Sequence, residues 1–271
     1  MLSRSTALLD PADALTRSRP TNPIVVIPAR LAATRLPGKP LAAIGGTPMI
    51  VHVWRRAVAA AVGPVVVACG DLAIAAAVEA AGGRAVLTDP ALPTGSDRIH
   101  AAITALDPGR AYDAVINVQG DMPMLDPAAI RLAFEALADP ETDIATLAAV
   151  IDDPAALARD HVNKVVAGFA DPARPARALY FSKLPVPWGE GPHYEHVGLY
   201  AYRREALERF VALPQGVLER RERLEQLRAL EAGMRISVRL IGADQHGGQV
   251  DTAADLERAR QLYQQLSQRT Q

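Results

Sequence analysis

Four short apolar runs, each followed by a stretch with helical spacing, limit the architectures open to this chain. Ile24-Val25-Val26-Ile27, Val65-Val66-Val67-Ala68, Ala85-Val86-Leu87 and Ala114-Val115-Ile116-Asn117-Val118 are too short to be buried helices. They lack the alternation of half-solvated strands, and so read as strands covered on both faces, the first ended by Pro28. Between them, residues 49–62, 72–81 and 97–106 are helix candidates, the first with apolar side chains recurring at intervals of three and four. Asp126-Pro127 then supplies an N-cap and a first-turn proline for a further helix. Strand, helix, strand, helix predicts an α/β fold: a doubly wound, mostly parallel sheet.

The second half is less regular. Residues 143–150, 164–169, 176–180 and 194–202 read as strands with little helix between them. They predict a small antiparallel, lid-like excursion inserted into or appended to the parallel sheet, which stays one continuous sheet. Residues 217–232 form a charged amphipathic pattern, and 252–266 a C-terminal helix. Residues 1–22 have no sustained period and are expected to be a disordered tail. With no repeat, low-complexity tract or linker beyond them, residues 23–271 are expected to form a single domain.

Half of the 271 residues are apolar (49%) and 22% are charged, with a formal net charge of −1. That balance allows a sizeable core and excludes general disorder. It leaves no global field to attract nucleic acid. Cys69 is the one cysteine, so neither an intrachain disulfide nor a cysteine zinc cage can form. No uncharged run approaches the ~18–20 apolar residues of a membrane span. Met1–Pro23 lacks the compact apolar core of a signal peptide. The expected setting is the cytoplasm, without membrane insertion.

In open α/β sheets, ligands bind beyond the carboxyl ends of the strands. The first strand runs into Pro28-Ala29-Arg30-Leu31-Ala32-Ala33-Thr34-Arg35-Leu36-Pro37-Gly38-Lys39-Pro40. Arg30, Arg35 and Lys39 place three cations in one short loop, suited to a triphosphate whose pyrophosphate gains charge as it leaves. Three solvated surface cations would give the same spacing. Neither a Walker A sequence nor GxGxxG is present. The fourth strand ends in Gln119-Gly120-Asp121, and an Asp there points into the same crevice, where it could hold Mg²⁺ or simply make a turn. Val250-Asp251-Thr252 offers a second carboxylate, although Asp251 or Thr252 would equally cap the last helix. Thr94-Gly95-Ser96-Asp97-Arg98 reads either as a helix cap formed by Ser96 or Asp97, or as a turn admitting a nucleobase edge. His196, Tyr200, Glu225 and Gln226 are polar groups in apolar stretches. No Ser-His-Asp or HExxH pattern is visible.

Taken together, these segments resemble the 3-deoxy-D-manno-octulosonate (Kdo) cytidylyltransferase family, also called CMP-Kdo synthetases. The likeness begins in Pro28-Ala29-Arg30 and Thr34-Arg35-Leu36-Pro37-Gly38-Lys39-Pro40-Leu41. It continues through Pro48-Met49-Ile50-Val51-His52-Val53, Thr94-Gly95-Ser96-Asp97-Arg98 and Asn117-Val118-Gln119-Gly120-Asp121. It resumes in Ala178-Leu179-Tyr180-Phe181-Ser182, His196-Val197-Gly198-Leu199-Tyr200, Leu224-Glu225-Gln226-Leu227-Arg228 and Val250-Asp251-Thr252. In order, these cover residues 24–265.

The resemblance implies a nucleotidyltransferase fold and the reaction CTP + Kdo → CMP-Kdo + pyrophosphate, serving lipopolysaccharide synthesis. It implies Mg²⁺ and a homodimer, with the antiparallel excursion as lid or dimer contact. Carried over by position, Pro28, Ala29, Arg30, Arg35 and Lys39 would meet the nucleotide, the three cations holding its triphosphate. Ser96, Arg98 and Gln119 would surround cytosine and ribose. Asp121 and Asp251 would ligate Mg²⁺. His196, Tyr200, Glu225 and Gln226 would contact the sugar acid, and Arg30, Lys39 and Asp121 would carry the catalysis. Met122 departs from the family's usual Gln-Gly-Asp-Glu-Pro. Residues 1–22 have no counterpart in typical members, and the segments before Lys164 and around Trp188–Tyr194 look shortened. The alternatives are a cytidylyltransferase for sialic acid or 8-amino-Kdo, and a nucleotide-binding relative that has lost turnover.

Overall fold

The computed structural model describes residues 17–32 and 35–269. Its strands are β1 (Pro23–Ala29), β2 (Ala43–Ile44), β3 (Thr47–Pro48), β4 (Val65–Cys69), β5 (Arg84–Leu87), β6 (Ala114–Asn117), β7 (Ile144–Val150), β8 (Lys164–Ala167), β9 (Ala176–Ser182), β10 (Tyr194–Arg203) and β11 (Ile236–Leu240). The α-helices are α1 (Met49–Ala59), α2 (Leu72–Ala80), α3 (Gly95–Leu106), α4 (Pro127–Glu135), α5 (Pro154–Leu157), α6 (Arg204–Ala212), α7 (Val217–Glu222), α8 (Leu227–Glu231) and α9 (Ala253–Arg269).

Among the described residues, nine strands form one mixed sheet in the order β5-β4-β1-β6-β10-β7-β11-β9-β8. β5, β4, β1 and β6 are mutually parallel, β10 runs against both β6 and β7, and β7 and β11 are parallel. The antiparallel strands are therefore inserted into one continuous sheet, and that sheet is mixed rather than mostly parallel. β10 is irregular between Val197 and Tyr200, and before that point Glu195 also pairs with Lys164 of β8. The far edge thus folds back onto β10.

The pleat of β1 explains the two cores. Val25, Ile27 and Ala29 face Ile50 and Val53 of α1, Ile74 of α2 and Ile130 of α4. Ile24 and Val26 face Ile99 of α3 and Leu207 and Phe210 of α6. Every residue of β1 is buried, which accounts for its unbroken apolar run. Each such Val or Ile contributes about 1.5–3 kcal/mol through burial. The strand continues through Pro28 to Ala29, one turn of the pleat beyond the expected end. Val26 accepts from Val118 N, so Pro28, two residues on, faces the same side, where the β6 register has already ended at Asn117. Its missing N–H therefore costs no ladder bond. A third cluster, including Ile44, Met49, Val250 and Leu256, packs α9 and the β2–β3 hairpin beside the carboxyl ends of β1 and β6.

Three expectations change. Residues 217–232 are two helices, because Arg223 adopts a left-handed conformation (φ 56°) and Leu224 and Leu227 both turn into the core. That break holds Glu225 and Gln226. Helix α6 and strand β11 are additional elements, and Ile236-Ser237-Val238-Arg239-Leu240 alternates with the period of a strand. Finally, not all of residues 1–22 is a loose tail. Arg17 pairs with Asp143 at 2.8 Å, Arg203 donates to the Ser18 carbonyl at 2.8 Å, and Thr21 N donates to Asp113 at 2.7 Å. Residues 1–16 lie outside the described residues.

Candidate active site

The cation-rich loop after β1 is shaped by its own turn chemistry. Gly38 sits in the left-handed region (φ 68°), and a single 3₁₀ turn, Lys39–Leu41, follows it. The turn aims Lys39 back across the end of β1. Opposite, Gly120 is required by close approach, since a Cβ there would come within 2.8 Å of the Pro28 carbonyl oxygen. Asp71, just beyond β4, accepts from Leu31 N at 2.9 Å and ties down the start of the loop. The sequence carries a signal for Asp71: it follows a buried strand, as Asp121 does.

Pro28, Ala29, Arg30, Arg35, Lys39, Arg98, Gln119, Asp121 and Asp251 line one cleft of about 360 Å³. Lys39 Nζ lies 2.7 Å from Asp121 Oδ2 and 3.1 Å from Asp251 Oδ1, while Arg35 reaches Asp251 Oδ2 at 3.1 Å. With its side chain only 16% exposed, Lys39 is not a solvated surface cation. Burial alone would lower its pKa, but the two carboxylates outweigh that and raise it. The Asp121 carboxyl is also pushed upward, by burial and by the charge of Asp251, against the pull of Lys39.

The two capping alternatives are resolved by hydrogen bonds. Thr252 Oγ1 accepts from Asp255 N at 3.2 Å, and Asp255 Oδ2 accepts from Thr252 N at 2.7 Å. Thr252 and Asp255 therefore form the capping box, and Asp251 is left facing the cleft. At the other helix, Thr94 is the cap, accepting from Asp97 N at 3.1 Å, rather than Ser96 or Asp97. The helix starts at Gly95, earlier than expected, which turns Ser96 inward to donate to Glu225 Oε2 at 3.1 Å.

Arg98 lines the cleft, yet its guanidinium donates to Thr88 Oγ1 at 2.6 Å and to the carbonyls of Asp89 and Pro90. It braces the wall formed by residues 88–90. Gln119 Nε2 donates to Asn117 Oδ1 at 3.2 Å.

A second cavity of about 800 Å³ adjoins the first at Arg35 and Asp251. His196 lines it, with Met122, Arg159, Gly198 and Arg258 among the others. Tyr200, Glu225 and Gln226 are not at the wall of either space. Tyr200 packs 5.5 Å from the His196 ring, and Glu225 Oε1 and Gln226 Nε2 are buried with no hydrogen-bond partner. Burial raises the Glu225 pKa. The hydroxyl of Thr146 donates to the Leu199 carbonyl at 2.7 Å and lies 2.9 Å from His196 Nε2. Having spent its hydrogen on Leu199, Thr146 accepts from His196, so Nε2 carries the proton and Nδ1 is an acceptor.

Burial lowers the His196 pKa from 6.5 to about 3, so the ring is neutral near pH 7. The unfolded chain binds a proton as pH falls below 6.5 and the folded chain does not, so stability is lost from there down towards pH 3. The stability of the wild type relative to His196→Gln is expected to fall by about 1.6 kcal/mol between pH 6.5 and pH 5, the slope approaching about 1.4 kcal/mol per pH unit only well below 6.5. Urea unfolding at several pH values measures this, and a pH-independent gap would refute it.

Comparisons with known proteins bear on this geometry. Residues 24–236 match the family model described as Cytidylyltransferase. The 3-deoxy-manno-octulosonate cytidylyltransferase of Rhodospirillum centenum is 63% identical over 243 residues, covering 90% of this chain and 94% of that protein. Its counterpart in Parvibaculum lavamentivorans is 61% identical over 239 residues, covering 88% and 92%. The structure of CMP:2-keto-3-deoxy-manno-octonic acid synthetase complexed with CTP superposes with a TM-score of 0.82 at 38% identity, over 90% of this chain and 99% of that one. A nucleotidyl transferase from Methanothermobacter thermautotrophicus shares the fold, with a TM-score of 0.60 at 15% identity.

Proposed function

The chain belongs to the 3-deoxy-manno-octulosonate cytidylyltransferase family, and from that premise we propose how its two adjoining cavities carry out the reaction. It is a nucleotidyltransferase that activates Kdo with CTP, giving CMP-Kdo and pyrophosphate. The observation that carries the assignment of roles is convergence: three loop cations and two carboxylates distant in sequence meet in one cleft.

In this reading the first cleft takes CTP. Arg30, Arg35 and Lys39 neutralise the triphosphate, and the gain is greatest as charge builds on departing pyrophosphate. Gln119, Arg98 and the Gly95 turn flank the base and ribose, with Ser96 behind them holding Glu225. The second cavity takes the sugar acid. Because His196 is neutral with Nδ1 as acceptor, it suits a sugar hydroxyl and not the carboxylate. Positive charge for the carboxylate comes instead from Arg159 and Arg258, which line that cavity. Tyr200, Glu225 and Gln226 would support the sugar from behind that wall. The anomeric hydroxyl attacks the α-phosphorus in line, and no residue need form a covalent intermediate.

Asp121 and Asp251 fit Mg²⁺, which is bound through one or two carboxylates together with substrate phosphates. Both contact one ammonium, so both can reach one cation, and Asp121 Oδ1 is buried without a partner. When bound, the metal supplies charge to the phosphates and lowers the pKa of an attacking hydroxyl. Met122, which stands where the family's usual pattern has a Glu, is 1% exposed and supplies no carboxylate beside Asp121.

A homodimer is supported by the exposed apolar side chains Leu179, Leu184 and Trp188, on β9 and the segment after it, which a second copy would cover. A cytoplasmic setting is supported by the need for CTP. Among the described residues no helix is long and apolar enough to cross a membrane.

Pyrophosphate release with CTP and a panel of sugar acids tests the substrate. Release is expected only with Kdo or a close analogue. Equal turnover with sialic acid, or none with Kdo, would overturn the assignment.

A further inference from the structure

The cations meant for the phosphates are, in the structure, spent on the carboxylates meant for the metal. Lys39 Nζ bridges Asp121 Oδ2 and Asp251 Oδ1 at 2.7 and 3.1 Å, and Arg35 holds the other oxygen of Asp251 at 3.1 Å. Three of the four carboxylate oxygens are engaged by protein cations, and the fourth, Asp121 Oδ1, is buried without a partner. An ammonium and a divalent cation cannot share this position, because both need the same oxygens and like charges repel strongly where water is scarce.

The backbone under Lys39 is fixed while its head is not. Lys39 N donates to Leu36 O, Leu41 N to Gly38 O, and Ala42 N to Lys39 O, so the turn holds the stem in place. The ammonium sits at the end of four methylenes and can change partner without the loop moving. Arg35 is weaker competition, since its side chain is 61% exposed.

We infer that Lys39 is a built-in counter-ion that competes with the divalent metal for Asp121 and Asp251, so that metal enters with the triphosphate and not ahead of it. The inference rests on the reading that these two carboxylates hold the metal. Removing the ammonium from both carboxylates is costly unless another anion receives it. The β- and γ-phosphates of CTP provide that anion, and CMP does not. As Lys39 swings to the phosphates, Asp121 and Asp251 would be released to hold the metal, so that no carboxylate is left without a cation. Metal and CTP therefore bind with positive coupling, and by linkage each strengthens the other by the same factor. The arrangement also keeps free metal from occupying the site before the nucleotide arrives.

Binding of Mn²⁺ to nucleotide-free protein, followed by the loss of its free-ion paramagnetic resonance signal, tests this without turnover. Lys39→Met keeps the stem and removes the charge, and is expected to tighten Mn²⁺ at least tenfold over the wild type. Lys39→Arg keeps a competing charge and is expected to show no such gain. Adding Asp121→Asn to Lys39→Met should abolish the gain, and CMP should leave wild-type affinity unchanged where CTP raises it. Equal Mn²⁺ affinity in wild type and Lys39→Met would overturn the competition while leaving the carboxylates as metal ligands. If no variant binds Mn²⁺ even with CTP, or if Asp121→Asn does not weaken it, the metal assignment itself fails.

Discussion

Asp121→Asn and Asp251→Asn are each expected to lower metal-dependent turnover by a factor on the order of 10³ or more, while the fold survives. A metal ion contributes several kcal/mol to stabilising charge in a transition state, and each 1.4 kcal/mol or so is a factor of ten in rate. Asn keeps the shape of the side chain and loses the charge that would hold the ion. The structure separates this from a folding effect at Asp251, because the last helix is capped by Thr252 and Asp255. Removing the Asp251 charge therefore leaves the cap intact, and the melting temperature should fall by no more than a few degrees. Steady-state pyrophosphate release against metal concentration, alongside thermal unfolding, checks both halves. Intact turnover in Asp251→Asn would remove that residue from the metal site, and unfolding would show that it supports α9 after all.

Lys39→Ala should lower kcat by about 30- to 1,000-fold, the ~2–4 kcal/mol of a buried donor that stabilises developing charge. The inhibition constant of CMP should change less than about threefold, because CMP lacks the phosphates that Lys39 would meet. Lys39 is 16% exposed and bound to two carboxylates, so the ~0–1 kcal/mol of an exposed charge is the wrong scale for it. A parallel loss of CMP affinity and turnover would place Lys39 on the α-phosphate instead. Removing its charge should thus slow catalysis while tightening free metal, two opposite effects from one side chain with two anionic partners.

Much of the site was legible without coordinates. The loop cations, the Asp after the fourth strand and the apolar runs of β1, β4 and β6 are local patterns, and the carboxyl ends of parallel strands gather whatever follows them. The alternation in β11 and the position of Asp71 after β4 are also local signals. The helix expected over residues 217–232 failed because propensity is a weak prior. Packing Leu224 and Leu227 into the core outweighs the cost of a left-handed Arg223.

By itself, the sequence determined the strand–helix rhythm of the first half, the burial of β1 on both faces and the cation-rich loop that follows it. These depend on spacing over a few residues, where periodicity, capping and turn geometry act. The tertiary structure alone decided that β10 enters between β6 and β7, that residues 17–22 dock on Asp143, Arg203 and Asp113, and that Asp251 is free of its helix cap. It also decided that Lys39 bonds to carboxylates 82 and 212 residues away. Such pairings follow from which charges remain unsatisfied once the strands have taken their order in space, and no spacing along the chain records that order.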